Sequence, residues 1–168
     1  MKIILVGFMG AGKTSVGKKL SKKLKLEFID MDEEIEKQNN SSVEAIFEKY
    51  GENYFRELES ILLKELLHKK DIIISTGGGI IKRNENCKLL KNEKTVIFLD
   101  ANEKTIIKNI SHDLNKRPLL KGEDNLYDKV SSLLSDRYEK YNTISNIKVN
   151  VNNKNTDEVV SQLLVYTR

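Results

Sequence analysis

The segment Gly7-Phe8-Met9-Gly10-Ala11-Gly12-Lys13-Thr14 constrains this chain more than any other stretch, because it satisfies G-x-x-x-x-G-K-[ST] at every constrained position. Its flanks agree with it. Lys2–Val6 is an apolar, β-branched run of the kind that forms a buried parallel strand. Downstream, Val16, Leu20 and Leu24 recur at helical spacing and lay one apolar stripe along a helix that opens at Lys13. A strand, a glycine-rich turn and a helix make a phosphate-binding loop. Glycines let backbone N–H groups turn inward into an anion-binding nest, and the helix adds its positive dipole end and unpaired N–H groups. Gly10, Ala11, Gly12, Lys13, Thr14 and Ser15 are the expected nucleotide-binding residues. Lys13 supplies a mobile cation for the β- and γ-phosphates, and Thr14 a hydroxyl for Mg²⁺.

Beyond the loop, strand and helix patterns alternate without a break, which predicts an α/β fold with a parallel, doubly wound sheet. The strands are read at Lys2–Val6, Glu27–Asp32, Asp71–Thr76, Thr95–Asp100 and Asn146–Val151. Between them, Asp32–Lys37 is helical and Asn39-Asn40 breaks it. Ser41 and Glu44 form a capping box for the next helix, which Gly51 ends. A long amphipathic helix covers Glu52–Lys70. Ile80–Lys91, a helix capped by Asn102 and running to about Asp113, Leu126–Tyr141 and Thr156–Leu164 complete the set. The polar stretch Asn115–Asn125 holds the single proline, Pro118.

The 168 residues suit one domain with a substantial core. Net charge is +4, from 29 basic and 25 acidic residues, and the lysines are dispersed rather than clustered. That favours anionic ligands and argues against nucleic acid as a partner. A single cysteine, Cys87, rules out an internal disulfide and a cysteine-built metal cluster. No signal peptide precedes the first strand, and no apolar run approaches the roughly 20 residues that span a bilayer. A cytoplasmic enzyme with no membrane partner is expected.

A P-loop alone specifies a nucleoside triphosphate, not a reaction. The size argues against a motor, and no Asn-Lys-x-Asp follows a late strand as a GTPase requires. A small-molecule or nucleotide kinase remains. In a doubly wound sheet, ligands collect at the carboxyl ends of strands. Three features lie there: Asp30 and Asp32, two apart and so on one side of an extended strand end; Arg56 and Glu59, on one face of a helix; and Gly77-Gly78-Gly79, three residues on which a ligand can rest against bare backbone.

These motifs together resemble the shikimate kinases, in the nucleoside-monophosphate-kinase branch of P-loop proteins. The resemblance rests on Gly7–Thr14, Phe28-Ile29-Asp30-Met31-Asp32, Gly51-Glu52-x-x-Phe55-Arg56-x-x-Glu59, Thr76-Gly77-Gly78-Gly79, Arg117-Pro118-Leu119-Leu120 and Arg137-x-x-x-Tyr141, in family order. It implies a three-layer P-loop kinase with strand order 2-3-1-4-5. It also implies a single domain over 1–168, with substrate-binding helices over about 32–60 and a lid over about 112–125. The implied reaction is Mg²⁺-dependent transfer of the ATP γ-phosphoryl group to the 3-hydroxyl of shikimate, by a monomer. Lys13, Asp32 and Arg117 would be catalytic. Asp32, Arg56, Gly77, Gly78, Gly79 and Arg137 would hold shikimate, with the two arginines on its carboxylate and Glu59 holding Arg56. Arg117 would join the P-loop residues on ATP, and Thr14 and Asp30 would serve Mg²⁺, with Asp100 the competitor for Asp30.

Two positions depart from the family. Ile110 stands where an arginine often stacks on adenine, which leaves either Lys108, His112 or Lys116 as a substitute or a more loosely held adenine. After Tyr141, Asn142-Thr143-Ile144-Ser145-Asn146 replaces an acidic-Ala-Asp ending. A gluconate or nucleoside-monophosphate kinase is the neighbouring alternative, and a non-catalytic nucleotide-binding regulator the alternative of another class.

Overall fold

The computed structural model describes residues 1–111 and 125–167. Five strands, β1 (Lys2–Val6), β2 (Glu27–Asp30), β3 (Ile72–Ser75), β4 (Val96–Asp100) and β5 (Ile147–Asn150), form one sheet in the order β2-β3-β1-β4-β5. Every pairing is parallel, so each connection must cross over, and helices supply the crossovers. They are α1 (Lys13–Leu24), α2 (Met31–Asn39), α3 (Val43–Leu67), α4 (Asn84–Lys91), α5 (Glu103–Ile110), α6 (Leu126–Ile144) and α7 (Thr156–Leu163). The expected α/β class and strand order are both found.

The central strands explain themselves. Ile3 to Val6, Ile72 to Ile74 and Val96 to Leu99 are all buried, because helices cover both faces of the sheet. Each such side chain contributes roughly 1.5–3 kcal/mol by leaving water. α1 packs on α7, while α6 packs on α4 and α5, and α3 on α4. The edge strand β5 alternates instead, with Val149 buried and Lys148 and Asn150 exposed. A lysine on an edge also discourages pairing with another sheet.

Register brings the site together. Asp30 pairs with Ser75, and Ser75 with Leu5, so β2, β3 and β1 end at one level. Thr76 extends the alignment, donating both its N–H and its hydroxyl to the Leu5 carbonyl.

Several boundaries differ from the sequence reading. β2 stops at Asp30, not Asp32, so the two acids do not share a strand face. Asp30 is the N-cap of α2, its carboxylate accepting from the N–H groups of Asp32 and Glu33, and Asp32 lies in the first helical turn. Capping outweighs strand extension here, since it satisfies two otherwise orphaned donors. Ser42, not Ser41, caps α3, and the Ser41–Glu44 box is not formed. The two helices expected around Gly51 are the arms of α3, joined across a kink at Gly51 (φ 82°, ψ 167°). Its conformation belongs to glycine, and apart from the adjoining backbone and chain neighbours no atom lies within 4 Å of where a Cβ would stand. The helix expected over Ile80–Lys91 divides at Arg83, extended at φ −97° and ψ 125°, into a 3₁₀ turn (Ile80–Lys82) and α4. Asn155 caps α7 with a capping box to Glu158. Of the proposed lid only Asn125, the N-cap of α6, is described; 112–124 lie outside the described residues.

Candidate active site

The loop from Gly7 to Gly12 joins β1 to α1, and Met9 to Val16, from the loop and the first turn of α1, wall a cavity of about 1060 Å³. Asp30, Asp32, Ser75, Thr76 and Gly78 line the same cavity from the ends of β2 and β3. α5 contributes Lys104, Thr105, Lys108 and Asn109, and the β5–α7 turn contributes Val151 and Asn153 to Thr156. Lys13 is buried and donates from Nζ to the carbonyls of Gly7 (2.8 Å) and Phe8 (2.9 Å). α5 braces the loop from outside. Asn109 Nδ2 donates to the Gly10 carbonyl at 2.7 Å, and Ile110 packs so close that a Cβ on Gly10 would meet its Cγ2 at 2.6 Å. Ile110 is fully buried beneath the loop, whereas Lys108 reaches the cavity; His112 and Lys116 lie outside the described residues.

Thr14 and Asp30 meet at the loop's base. Thr14 Oγ1 donates to Asp30 Oδ2 at 2.6 Å, and Ser75 Oγ donates to the same oxygen at 3.0 Å. Asp100, the alternative acid, accepts from the Tyr138 hydroxyl at 3.1 Å and is not among the residues that line the cavity.

Beside the cavity the three glycines form a floor on which charged side chains converge. A Cβ on Gly77 would lie 2.5 Å from Glu59 Oε1 and 2.7 Å from Asp32 Oδ1, and one on Gly79 would lie 2.1 Å from Arg56 Nη1. Only glycine admits such approach. Arg56 is 6% exposed and Glu59 0%. Their pair, Nη1 to Oε2 at 2.5 Å, is therefore no solvated surface contact. Glu52 takes the rest of the fork from Arg56 Nη2 (3.0 Å) and Nε (3.1 Å), and Lys82 Nζ joins Glu52 at 2.5 Å. Arg56 also lies over the rings of Phe55 and Phe47.

These surroundings shift protonation. Burial, above all, pushes the Glu59 carboxyl up to about 7, with the Asp32 charge adding and Arg56 opposing. Burial works against the Arg56 cation, but Glu59 and Glu52 together hold it above its ordinary range. Burial likewise opposes ionisation of Glu52, yet Lys82 and Arg56 hold its carboxyl below the usual value.

Arg137 comes from α6 on the far side of the floor. It is 4% exposed, its guanidinium lies over Phe8, and Nη1 reaches the Gly78 carbonyl at 3.5 Å. Among the described residues, Arg137 Nη2 and Glu59 Oε1 are buried polar atoms with no hydrogen-bond partner. The structure thus gathers Gly10 to Ser15, Asp30, Asp32 and Gly78 around one cavity, with Gly77, Gly79, Arg56 and Arg137 against it. Arg117 lies outside the described residues. Sequence reasoning placed Glu52 in a motif without giving it a role, and did not single out Lys82, Ser75, Asn109 or the β5–α7 turn. The i, i+4 spacing of Glu52 and Arg56 was a usable signal, as was the position of the β5–α7 turn at a strand's carboxyl end.

A parallel sheet in this order, a P-loop after its first strand and a basic, glycine-floored recess beside that loop define a P-loop kinase that phosphorylates a small molecule. The fold alone is shared with deoxyadenosine kinase from M. mycoides, at 17% identity and a TM-score of 0.65 over 99% of both chains. The chain belongs to the shikimate kinase family, whose model matches residues 9–167. It is 42% identical to the shikimate kinase of Macrococcus caseolyticus over 159 residues, 95% of this chain and 90% of that one. It also superposes on the shikimate kinase from Acinetobacter baumannii in complex with shikimate. That match has a TM-score of 0.94 and 34% identity, covering 99% of this chain and 92% of that one.

Proposed function

We propose that this kinase transfers the γ-phosphoryl group of ATP to the 3-hydroxyl of shikimate, releasing ADP and shikimate 3-phosphate. The observation that carries the substrate assignment is the pair of buried guanidinium groups, Arg56 and Arg137, on the backbone of Gly78 and Gly79 beside the P-loop cavity. Two planar forks converging on bare backbone suit a small carboxylate. The orphaned Nη2 of Arg137 is a buried donor that such a carboxylate would satisfy.

On this reading Gly10 to Ser15 hold the triphosphate, and Lys13 leaves the Gly7 and Phe8 carbonyls for phosphate oxygens. Arg117 joins it there. Thr14 and Asp30, with Ser75 behind, present hard oxygen donors that fit Mg²⁺. That ion, bound with the nucleotide, would neutralise phosphate charge. Asp32 orients the acceptor hydroxyl and takes its proton as the oxygen bonds to phosphorus and the bond to ADP breaks. The transition state is loose, so positioning and charge neutralisation do most of the work. Gly77 to Gly79 offer backbone N–H groups to the ring substituents, and Glu59 and Glu52 keep Arg56 aimed. The chain would act as a single P-loop domain, monomeric and cytoplasmic, with helices over about 32–60 forming the acceptor side. Among the described residues no helix is long and apolar enough to cross a membrane.

The test is ADP release with MgATP, comparing shikimate, gluconate, nucleoside monophosphates and no acceptor. Shikimate alone should support release. Arg56→Ala should lower kcat/KM for shikimate by about a hundredfold or more, the cost of losing a charged hydrogen-bonded contact. Release with a different acceptor overturns the assignment.

A further inference from the structure

We infer that Tyr141 is a positioning residue for the acceptor: its hydroxyl fixes the plane of the Gly78–Gly79 peptide and so sets the direction of the Gly79 N–H. The inference rests on the reading above that the acceptor lies on this glycine backbone. Tyr141 is 0% exposed, and its ring stacks on Phe98 at 5.3 Å between centroids and 29° between planes. From there its hydroxyl donates to the Gly78 carbonyl, the same oxygen that Arg137 Nη1 approaches. A peptide bond is planar and trans, so a carbonyl and the N–H that follows it point in opposite directions. With the Gly78 carbonyl drawn to α6, the Gly79 N–H is turned away from α6. It has no hydrogen-bond partner among the described residues. Glycine triplets are otherwise free to reorient this peptide, and Tyr141 removes that freedom where two predicted substrate contacts meet. The phenol stays a neutral donor, since burial pushes it up to about 12 against the pull of the Arg137 charge.

A packing role alone would be shared by Tyr138, one helical turn earlier. Tyr138 meets the same Phe98 edge-on at 5.5 Å, but its hydroxyl donates to Asp100, away from the glycines. Tyr141→Phe and Tyr138→Phe therefore each keep a ring and lose one hydroxyl, and differ in what that hydroxyl held. KM for shikimate, KM for ATP, kcat and melting temperature are measured for the full chain and both variants. Tyr141→Phe should raise KM for shikimate about five- to tenfold, as expected for one lost orienting hydrogen bond, with kcat and KM for ATP within about twofold. Tyr138→Phe should leave KM for shikimate within about twofold, whatever it does to melting. A shikimate KM unchanged in Tyr141→Phe overturns the inference, as does a rise matched by KM for ATP or by Tyr138→Phe. Failure of the unsubstituted chain to use shikimate would instead overturn the functional reading and this inference with it.

Discussion

Glu59 shows how one buried carboxyl can carry a signature in bulk stability. Its pKa rises from 4.5 to about 7 on folding, because burial disfavours its charge more than Arg56 favours it. A carboxyl raised in this way binds its proton more tightly in the folded chain. Its contribution to stability is therefore complete below pH 4.5 and is lost as pH rises to about 7. Glu59→Gln keeps the shape and has nothing to titrate. The stability of the natural chain minus that of the variant should fall by roughly 2–3 kcal/mol from about pH 4.5 to about pH 7.5, then level off. Urea unfolding of both proteins across that range checks it, and a pH-independent difference would refute the raised carboxyl.

Among elements, α3 is the one whose course matters most to the site, since its second arm carries Glu52, Arg56 and Glu59. The turn between its arms depends on Gly51, at φ 82° and ψ 167° with open space around it. Gly51→Ala has nothing to collide with, so its cost is backbone conformation alone, about 1–3 kcal/mol. Denaturant titration should find that loss; a change below about 0.5 kcal/mol would mean the kink tolerates an ordinary residue. The same helix marks where sequence reading succeeds. Gly51 was legible as a break because helical patterns ran up to it on both sides, and the strands were legible as β-branched runs. The second acid of Asp30-Met31-Asp32 was misplaced because capping and strand extension start from the same residue type, and local spacing does not say which prevails. Arg83 gave no signal at all: nothing in its neighbourhood distinguishes a break from a continuous turn. The glycine floor could be read as a place of close approach, but not that Glu59, Asp32 and Arg56 are what approach it. Tyr141 stood in a recognised motif, yet its hydroxyl's partner lies 63 residues away in sequence, a pairing only the fold reveals.

At the scale of the molecule, two ligands should report on two halves of one recess. A ligand bound only by the folded chain adds RT ln(1 + [L]/Kd), about 2.7 kcal/mol at a hundredfold excess over Kd, which for a chain of this size is a rise in melting temperature of roughly 5–10 °C. MgATP should give such a shift and Lys13→Ala should abolish most of it, while the variant keeps its shift with shikimate. Loss of both shifts in Lys13→Ala would show that the halves do not form independently.

The sheet order also bears on how the protein comes into being. β1 and β2 follow one another in the chain but never touch; β3 lies between them and pairs with both. A nascent chain that has released only its first two strands therefore has no way to pair them correctly, and must wait for residues 72–75 to emerge and slot in between. The insertion that joins β1 to β2 also carries Gly77 to Gly79 into position next to the P-loop. A product truncated before β3 therefore has two strands that cannot pair and a P-loop with no glycine floor beside it, and the site still waits for Arg137 on α6.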